Sequence, residues 1–206
     1  MKRTKEEAEE TKERIVKAAV RVFAEQGFSG AKLSDIASEA GVTRGAIYWH
    51  FKNKEALIEE LLQRIDSYHV HLVESSRTDD GSLQDRLRRV MRRLIRRQVE
   101  DQEWRMMQEI VVRDFLNRRG NVTWMETNSQ GDVAAERFFD EIIARGEILG
   151  FSDGMTALVA ASCFVSGWII QSIDLEGRLT DGQIEELVEF VVRGFFGTIG
   201  GEEEKR

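Results

Sequence analysis

Arg44, Gly45 and Ala46 stand together where contact with a DNA duplex is chemically possible. A guanidinium can donate two hydrogen bonds to guanine O6 and N7, and a methyl group can touch that of thymine. Gly45, lacking a side chain, lets the backbone approach closely. The flanking residues place this trio on the first turn of a helix. Gly41 can adopt the left-handed conformation that stops a preceding helix. Thr43 is a good N-cap, with Val42 and Ile47 at the positions of a hydrophobic staple. Asn53 offers a second cap, and Lys54 follows as the first residue of the next helix. This is the order of a helix-turn-helix, whose second helix presents its N-terminal residues to base edges. Trp49 is expected to pack or to flank the DNA backbone. An aromatic mini-core of Tyr48, Trp49 and Phe51 is the structural alternative, and for Phe51 it is preferred.

The same residues carry a resemblance. Asp35-Ile36-Ala37, Ala40-Gly41-Val42, Gly45-x-Ile47-Tyr48-x-His50-Phe51 and Asn53-Lys54-Glu55 resemble the signature of TetR-family transcriptional regulators. Gly41 to Lys52 and the Lys5-to-Thr11 arm are especially similar to the AcrR-type repressors of multidrug efflux pumps. The resemblance is confined mainly to the DNA-binding head, with a faint echo from Gln98 to Val111. It implies phosphate contacts from Tyr48, His50 and Lys54, with Thr43 a further candidate. The family places Thr or Ser ahead of its second helix, whereas Ala31-Lys32-Leu33 stands here. Lys32 then serves as a bare charge on phosphate. The resemblance also implies a two-fold dimer on a partly palindromic double-stranded operator, released by a small hydrophobic effector.

Periodicity predicts an all-α fold of about nine helices. Ile15, Ala18, Ala19, Val22 and Phe23 give a first helix over Thr11–Gln26, or one begun earlier through a Thr4-x-x-Glu7 capping box, ended by Gly27. Short helices follow over Leu33–Ala40 and Arg44–His50. A long one starting at Lys54 and reaching Ser75 joins the head to the body. This divides the chain into a helix-turn-helix domain, 1–53, and an effector-binding and dimerisation domain, 54–206. In the body, helices are expected at Leu83–Val99, Gln102–Asn117, Asp132–Arg145, the uncharged segment from Gly154, and Asp181–Thr198. Proline is absent from all 206 residues, which suits long uninterrupted helices.

Charge is divided unevenly. The first 55 residues hold 11 Lys and Arg against 9 Asp and Glu, a surplus of +2, so the remainder carries −9 towards the total of −7. An acidic body is repelled by a duplex and faces away from it. Seven arginines lie between Arg86 and Arg97. They form either an anion-binding patch or, preferably, a solvated face paired with acids on the long helix. Gly154 to Ile173 has no charged residue and is long enough to span a bilayer. Its polar side chains and acidic ends favour instead a helix buried all round, in a core or a dimer interface, and no membrane association. With no apolar leader at the start, the expected location is cytoplasmic.

Trp104, Met107, Phe115, Phe138, Phe139 and Trp168 supply the adaptable apolar surface that a permissive effector pocket needs, with Gln171 to orient a ligand. Residue by residue, ordinary core is the competing reading. Trp124 and Met125 belong to the same supply. Dimerisation is assigned to the eighth and ninth helices, where Ala160, Ala161, Ser162, Ser166 and Gly167 permit close approach. No catalytic, metal-binding or cofactor motif is found, and His69 and His71 point to different helix faces. The chain reads as a non-enzyme. The competing function is a TetR-fold DNA-binding protein whose body recruits a protein partner.

Overall fold

The computed structural model describes residues 5–77, 80–117, 130–145, 151–172 and 179–196. Among them lie nine α-helices and no strand: α1 (Lys5–Gly30), α2 (Leu33–Glu39), α3 (Arg44–His50), α4 (Lys54–Arg77), α5 (Leu83–Glu100), α6 (Gln102–Asn117), α7 (Gln130–Ala144), α8 (Gly154–Ser172) and α9 (Asp181–Phe196). The first helix departs most from its expected limits. Glu6 and Glu7 suit the positive end of the helix dipole, and Thr11 donates to the Glu7 carbonyl at 2.7 Å. Gly27, at φ 68° and ψ 161°, does not end α1 but kinks it. One further turn comes after it, closed by Ala31 N–H on the Gly27 carbonyl at 3.1 Å.

The described chain forms two compact units. The first contains α1 to α3, α4 as far as Ile65, and α6. Its core is the predicted face of α1 (Ile15, Ala18, Ala19, Val22, Phe23) with Ile36, Ile47, Leu57 and Leu61. Burying a side chain such as Leu57 contributes about 1.5–3 kcal/mol. α1 packs on both α2 and α6. Ion pairs tie α1 to α4. Lys12 meets Glu60 at 2.7 Å, and Arg64 bridges Glu13 at 2.7 Å and Glu60 at 3.1 Å. Burial alone would raise the Glu60 carboxyl, but hydrogen bonds from Lys12 and Arg64 outweigh it and hold the group below its ordinary range.

The second unit holds α4 from Asp66, α5, and α7 to α9. Its core joins Leu87, Ile95, Phe138, Ile142, Ala157, Val188 and Phe195. Gly154 lets α8 begin against α7. Its N–H donates to Asp140 at 2.7 Å, and a Cβ there would lie 2.5 Å from both Asp140 Oδ1 and the Glu136 carbonyl. The basic face of α5 is paired with acids of α9, a helix not anticipated from sequence. Arg88, Arg92 and Arg96 reach Glu189, Glu185 and Asp181 of α9, the last two at 2.6 Å. Towards α4, Arg93 meets the Ser75 hydroxyl at 3.5 Å and Arg97 covers the Tyr68 ring at 4.0 Å. Arginines four apart on α5 thus oppose acids four apart on α9, a ladder that one-helix periodicity does not disclose.

α8 is covered on part of its surface within one chain. By length and composition it could cross a membrane, yet only Gly154, Ala157, Ile169 and Ser172 are buried along it. Within one chain it is not buried all round. Met155, Val159 and Ile170 are exposed on it.

Candidate nucleic-acid interface

The turn between α2 and α3 forms as its residues dictate. Gly41 takes φ 62°, its N–H bonding the Ser38 carbonyl at 3.1 Å while Val42 N–H reaches Ala37 at 2.9 Å. This pair of bonds is the Schellman stop, which needs the left-handed residue. The Thr43 hydroxyl oxygen then accepts from Ala46 N–H at 3.2 Å. Ile47 is completely buried and Val42 half-buried, as a staple requires. α3 ends at Phe51, which is 4% exposed, and Asn53 caps α4 by accepting from Ala56 N–H at 2.9 Å.

These anchors leave one side of α3 to solvent. Arg44 and Gly45 are exposed, and Ala46 and His50 are half-buried. Tyr48 is 57% and Trp49 72% exposed, so the aromatic mini-core contains Phe51 but neither of them. Trp49 meets His50 edge-on, with centroids 4.5 Å apart. A Cβ on Gly45 would come no closer than 3.9 Å to any protein atom. Nothing inside the protein therefore requires glycine there, and the open space lies towards solvent. Lys32 is exposed at the N-cap of α2 and makes no side-chain capping bond, as the missing hydroxyl implied.

Lys54 differs from the others. Its ammonium donates to the Phe28 carbonyl at 2.6 Å and the Ser29 carbonyl at 3.4 Å, and it lies 4.7 Å from the centre of the Phe28 ring. Sequence reasoning missed this engagement because the partners are 25 and 26 residues away and are backbone groups.

The residues expected to bind an effector fall in both units. Trp104 and Met107 are buried in the first unit. Phe138, Phe139 and Trp168 belong to the second, where Phe139 stacks on Phe195 at 5.5 Å. Gln171 is exposed on α8. The Phe115 side chain, like Trp124 and Met125, lies outside the described residues. A polar seam that sequence reasoning did not single out crosses the second unit. Gln98 donates to Ser172 Oγ at 3.0 Å, Ser172 donates to the Ile169 carbonyl at 3.0 Å, and Arg97 covers the Tyr68 ring at 4.0 Å. Trp168 Nε1, one turn before Ser172, is buried without a hydrogen-bond partner among the described residues. Burial pushes the His69 imidazole down to about 4, with Asp66 opposing and Arg97 reinforcing the shift. A separate open groove of about 810 Å³ lies between α8 and α9, lined by Phe151, Phe164, Phe190 and the carboxylates Glu185 and Glu189 among others.

An all-α chain with a capped, outward-facing recognition helix is a helix-turn-helix protein. Residues 15–61 match the family model described as bacterial regulatory proteins, tetR family. The chain is 34% identical over 192 residues to the HTH-type transcriptional regulator TtgR of Pseudomonas putida, covering 86% of this chain and 90% of that one. Its fold matches a SmeT–triclosan complex with a TM-score of 0.70 at 27% identity, over 89% of this chain and 90% of that one. It also matches NalD, the secondary repressor of the MexAB-OprM multidrug efflux pump in Pseudomonas aeruginosa, with a TM-score of 0.68 at 25% identity, over 94% and 100%. The chain belongs to the TetR family of transcriptional regulators, close to its AcrR-type efflux repressors. It is a regulator and not an enzyme.

Proposed function

We propose that this protein is a homodimeric repressor that binds a palindromic operator through α3 and leaves it when a small hydrophobic effector binds. The observation that carries the reading is the outward presentation of Arg44, Gly45, Tyr48 and Trp49 on a helix fixed at both ends. Arg44 reads a base edge, with Gly45 and Ala46 close to the groove. Lys32, Thr43, Tyr48 and His50 hold phosphates, and Trp49 flanks them. Residues 1–53 are the DNA-binding domain, and 54–206 serve effector binding and dimerisation.

Dimerisation through α8 and α9 is supported by the apolar side chains they leave in water, Met155, Val159 and Ile170 on α8 and Phe190, 70% exposed, on α9. A contiguous exposed apolar patch marks an interaction site. A partner subunit, not a membrane, covers it in this reading, and the protein works in the cytoplasm where its DNA is. Two recognition helices must then match successive major grooves about 34–36 Å apart. The triclosan complex of SmeT and the pump controlled by NalD support an efflux-related target and a hydrophobic effector. The aromatic side chains of α7 and α8 in the second unit, beside a Trp168 Nε1 that is buried without a hydrogen-bond partner among the described residues, are where that effector binds. α4 runs unbroken from Lys54 to Arg77 and moves the heads when the effector seats. The effector must bind the DNA-incompetent state more tightly, or nothing shifts.

The test is fluorescence-anisotropy binding of the purified protein to its own upstream DNA, against a panel of hydrophobic cations, phenolic biocides and fatty acids. Salt-sensitive binding released by one class supports the reading. Specific binding that no compound disturbs, with a protein captured by the dimer on DNA, supports the adaptor reading instead.

A further inference from the structure

We propose that α9 crosses its own copy antiparallel at the dimer two-fold, with Phe190 at the crossing and Glu186 of each subunit paired with Arg193 of the other. The inference rests on the reading of α8 and α9 as the dimer interface.

The spacing along α9 divides the helix into two faces. Ile184, Val188, Val191, Val192 and Phe195 turn inward and are buried. Steps of four and three residues place Glu186, Phe190 and Arg193 together on the other face, and all three are exposed. Phe190 keeps 70% of its surface in water although its ring leans on Phe164 of α8, with centroids 6.5 Å apart. Glu186 precedes Phe190 by about 6 Å of helix rise and Arg193 follows it by about 4.5 Å. The midpoint of the two charges therefore lies within about 1 Å of Phe190 along the axis.

Their neighbours are already committed. Glu185 and Glu189 pair with Arg92 and Arg88 of α5, whereas Glu186 and Arg193 form no ion pair among the described residues. An acid, a ring and a base in line match their own reverse. A two-fold axis at Phe190 brings each Glu186 to Arg193 of the partner subunit, twice per dimer, and lays the two rings together. A parallel crossing would instead set Glu186 against Glu186 and Arg193 against Arg193, and like charges repel. The open groove of about 810 Å³ beside Phe190 is lined by Phe151, Phe164, Glu186, Arg193 and Gly194 as well. The partner's Phe190 closes it over apolar surface, with both charges matched at its edges. A lipid tail or an uncharged effector in that groove would leave both charges without partners. A second copy of the chain satisfies both at once.

The test is sedimentation velocity across a dilution series for the wild type, Glu186→Arg, Arg193→Glu and the Glu186→Arg/Arg193→Glu double variant. An equimolar mixture of the two single variants, one of them carrying an amino-terminal fluorophore, completes the set. Each single variant is expected to self-associate at least about tenfold more weakly than the wild type, because the reversed charge meets a like charge twice per dimer. The double variant exchanges the two charges and returns to within about threefold of the wild type. In the mixed dimer both contacts are again opposite in sign. The two single variants therefore bind each other about as tightly as the wild type binds itself, a rescue that pairing within one chain cannot give. That rescue also shows that neither variant has failed to fold. Single variants that self-associate like the wild type, a double variant no better than either, or a mixture no tighter than its components overturn the antiparallel crossing. A wild-type chain that stays monomeric throughout overturns instead the reading of α8 and α9 as a dimer interface.

Discussion

Acidification from pH 7 to pH 5 destabilises the protein through His69. This imidazole is lowered to about 4, chiefly by burial, whereas in the unfolded chain it titrates near its ordinary value of about 6.5. Between those values the unfolded state binds the extra proton, so stability falls as pH falls through about 6.5 and levels off below about 4. Linkage over the interval from pH 7 to pH 5 gives a loss of about 2 kcal/mol. The depressed carboxylates do not contribute in this interval. Glu60, held down by Lys12 and Arg64 against burial, and Glu185 and Glu189, held down by Arg92 and Arg88, lose their stabilisation only as pH falls below the ordinary carboxylate range. The assay is urea denaturation followed by circular dichroism at half-unit pH steps, at a fixed protein concentration because the stability of the proposed dimer depends on it. His69→Phe, whatever its absolute stability, removes most of the slope between pH 7 and pH 5. A wild-type curve that is flat over this interval, or an equal slope in the variant, refutes the argument.

The packing sets three further outcomes. Gly45→Ala leaves stability unchanged or raises it by up to about 1 kcal/mol, because its Cβ meets no protein atom within 3.4 Å, yet it weakens DNA binding, as melting and anisotropy on one preparation will show. Gly154→Ala forces a Cβ against the Glu136 carbonyl and Asp140, costing about 1–3 kcal/mol and lowering the melting temperature by several degrees. Phe190→Asp places a charge where 70% of a large ring is exposed. Sedimentation velocity is expected to show monomers, with operator affinity falling alongside.

The head was legible because its information is local. Gly41, Thr43, Asn53 and the staple pair Val42–Ile47 each act on neighbours within five residues; the structure forms the turn and both caps, and buries Ile47 with Val42 half-buried. The limits of α3 and α6 came out to the residue for the same reason. Long-range pairing was not legible. The alternation of arginines on α5 announced a charged face but could not choose between acids on α4 and those on α9. The lack of charge in α8 announced burial, yet one chain alone leaves Met155, Val159 and Ile170 in water. Gly27 was readable as an interruption, but whether a glycine ends a helix or kinks it depends on how the next turn is satisfied. Here Lys54, far along the sequence, bonds the carbonyls of the extra turn. The effector residues were selected by type alone, and side-chain chemistry without tertiary position cannot separate pocket from core.

The account's central claim, that α3 reads DNA sequence through Arg44, is tested most directly by a binding ratio. Affinity for the protein's own upstream duplex is divided by affinity for a scrambled duplex of equal length, at one salt concentration, for the wild type and Arg44→Ala. The account predicts a wild-type ratio of about 10³ or more. In Arg44→Ala the ratio falls by about 10–100-fold, the equivalent of about 1–3 kcal/mol, while scrambled-duplex affinity changes far less. An identical ratio in the two proteins, or a wild-type ratio near unity, contradicts it.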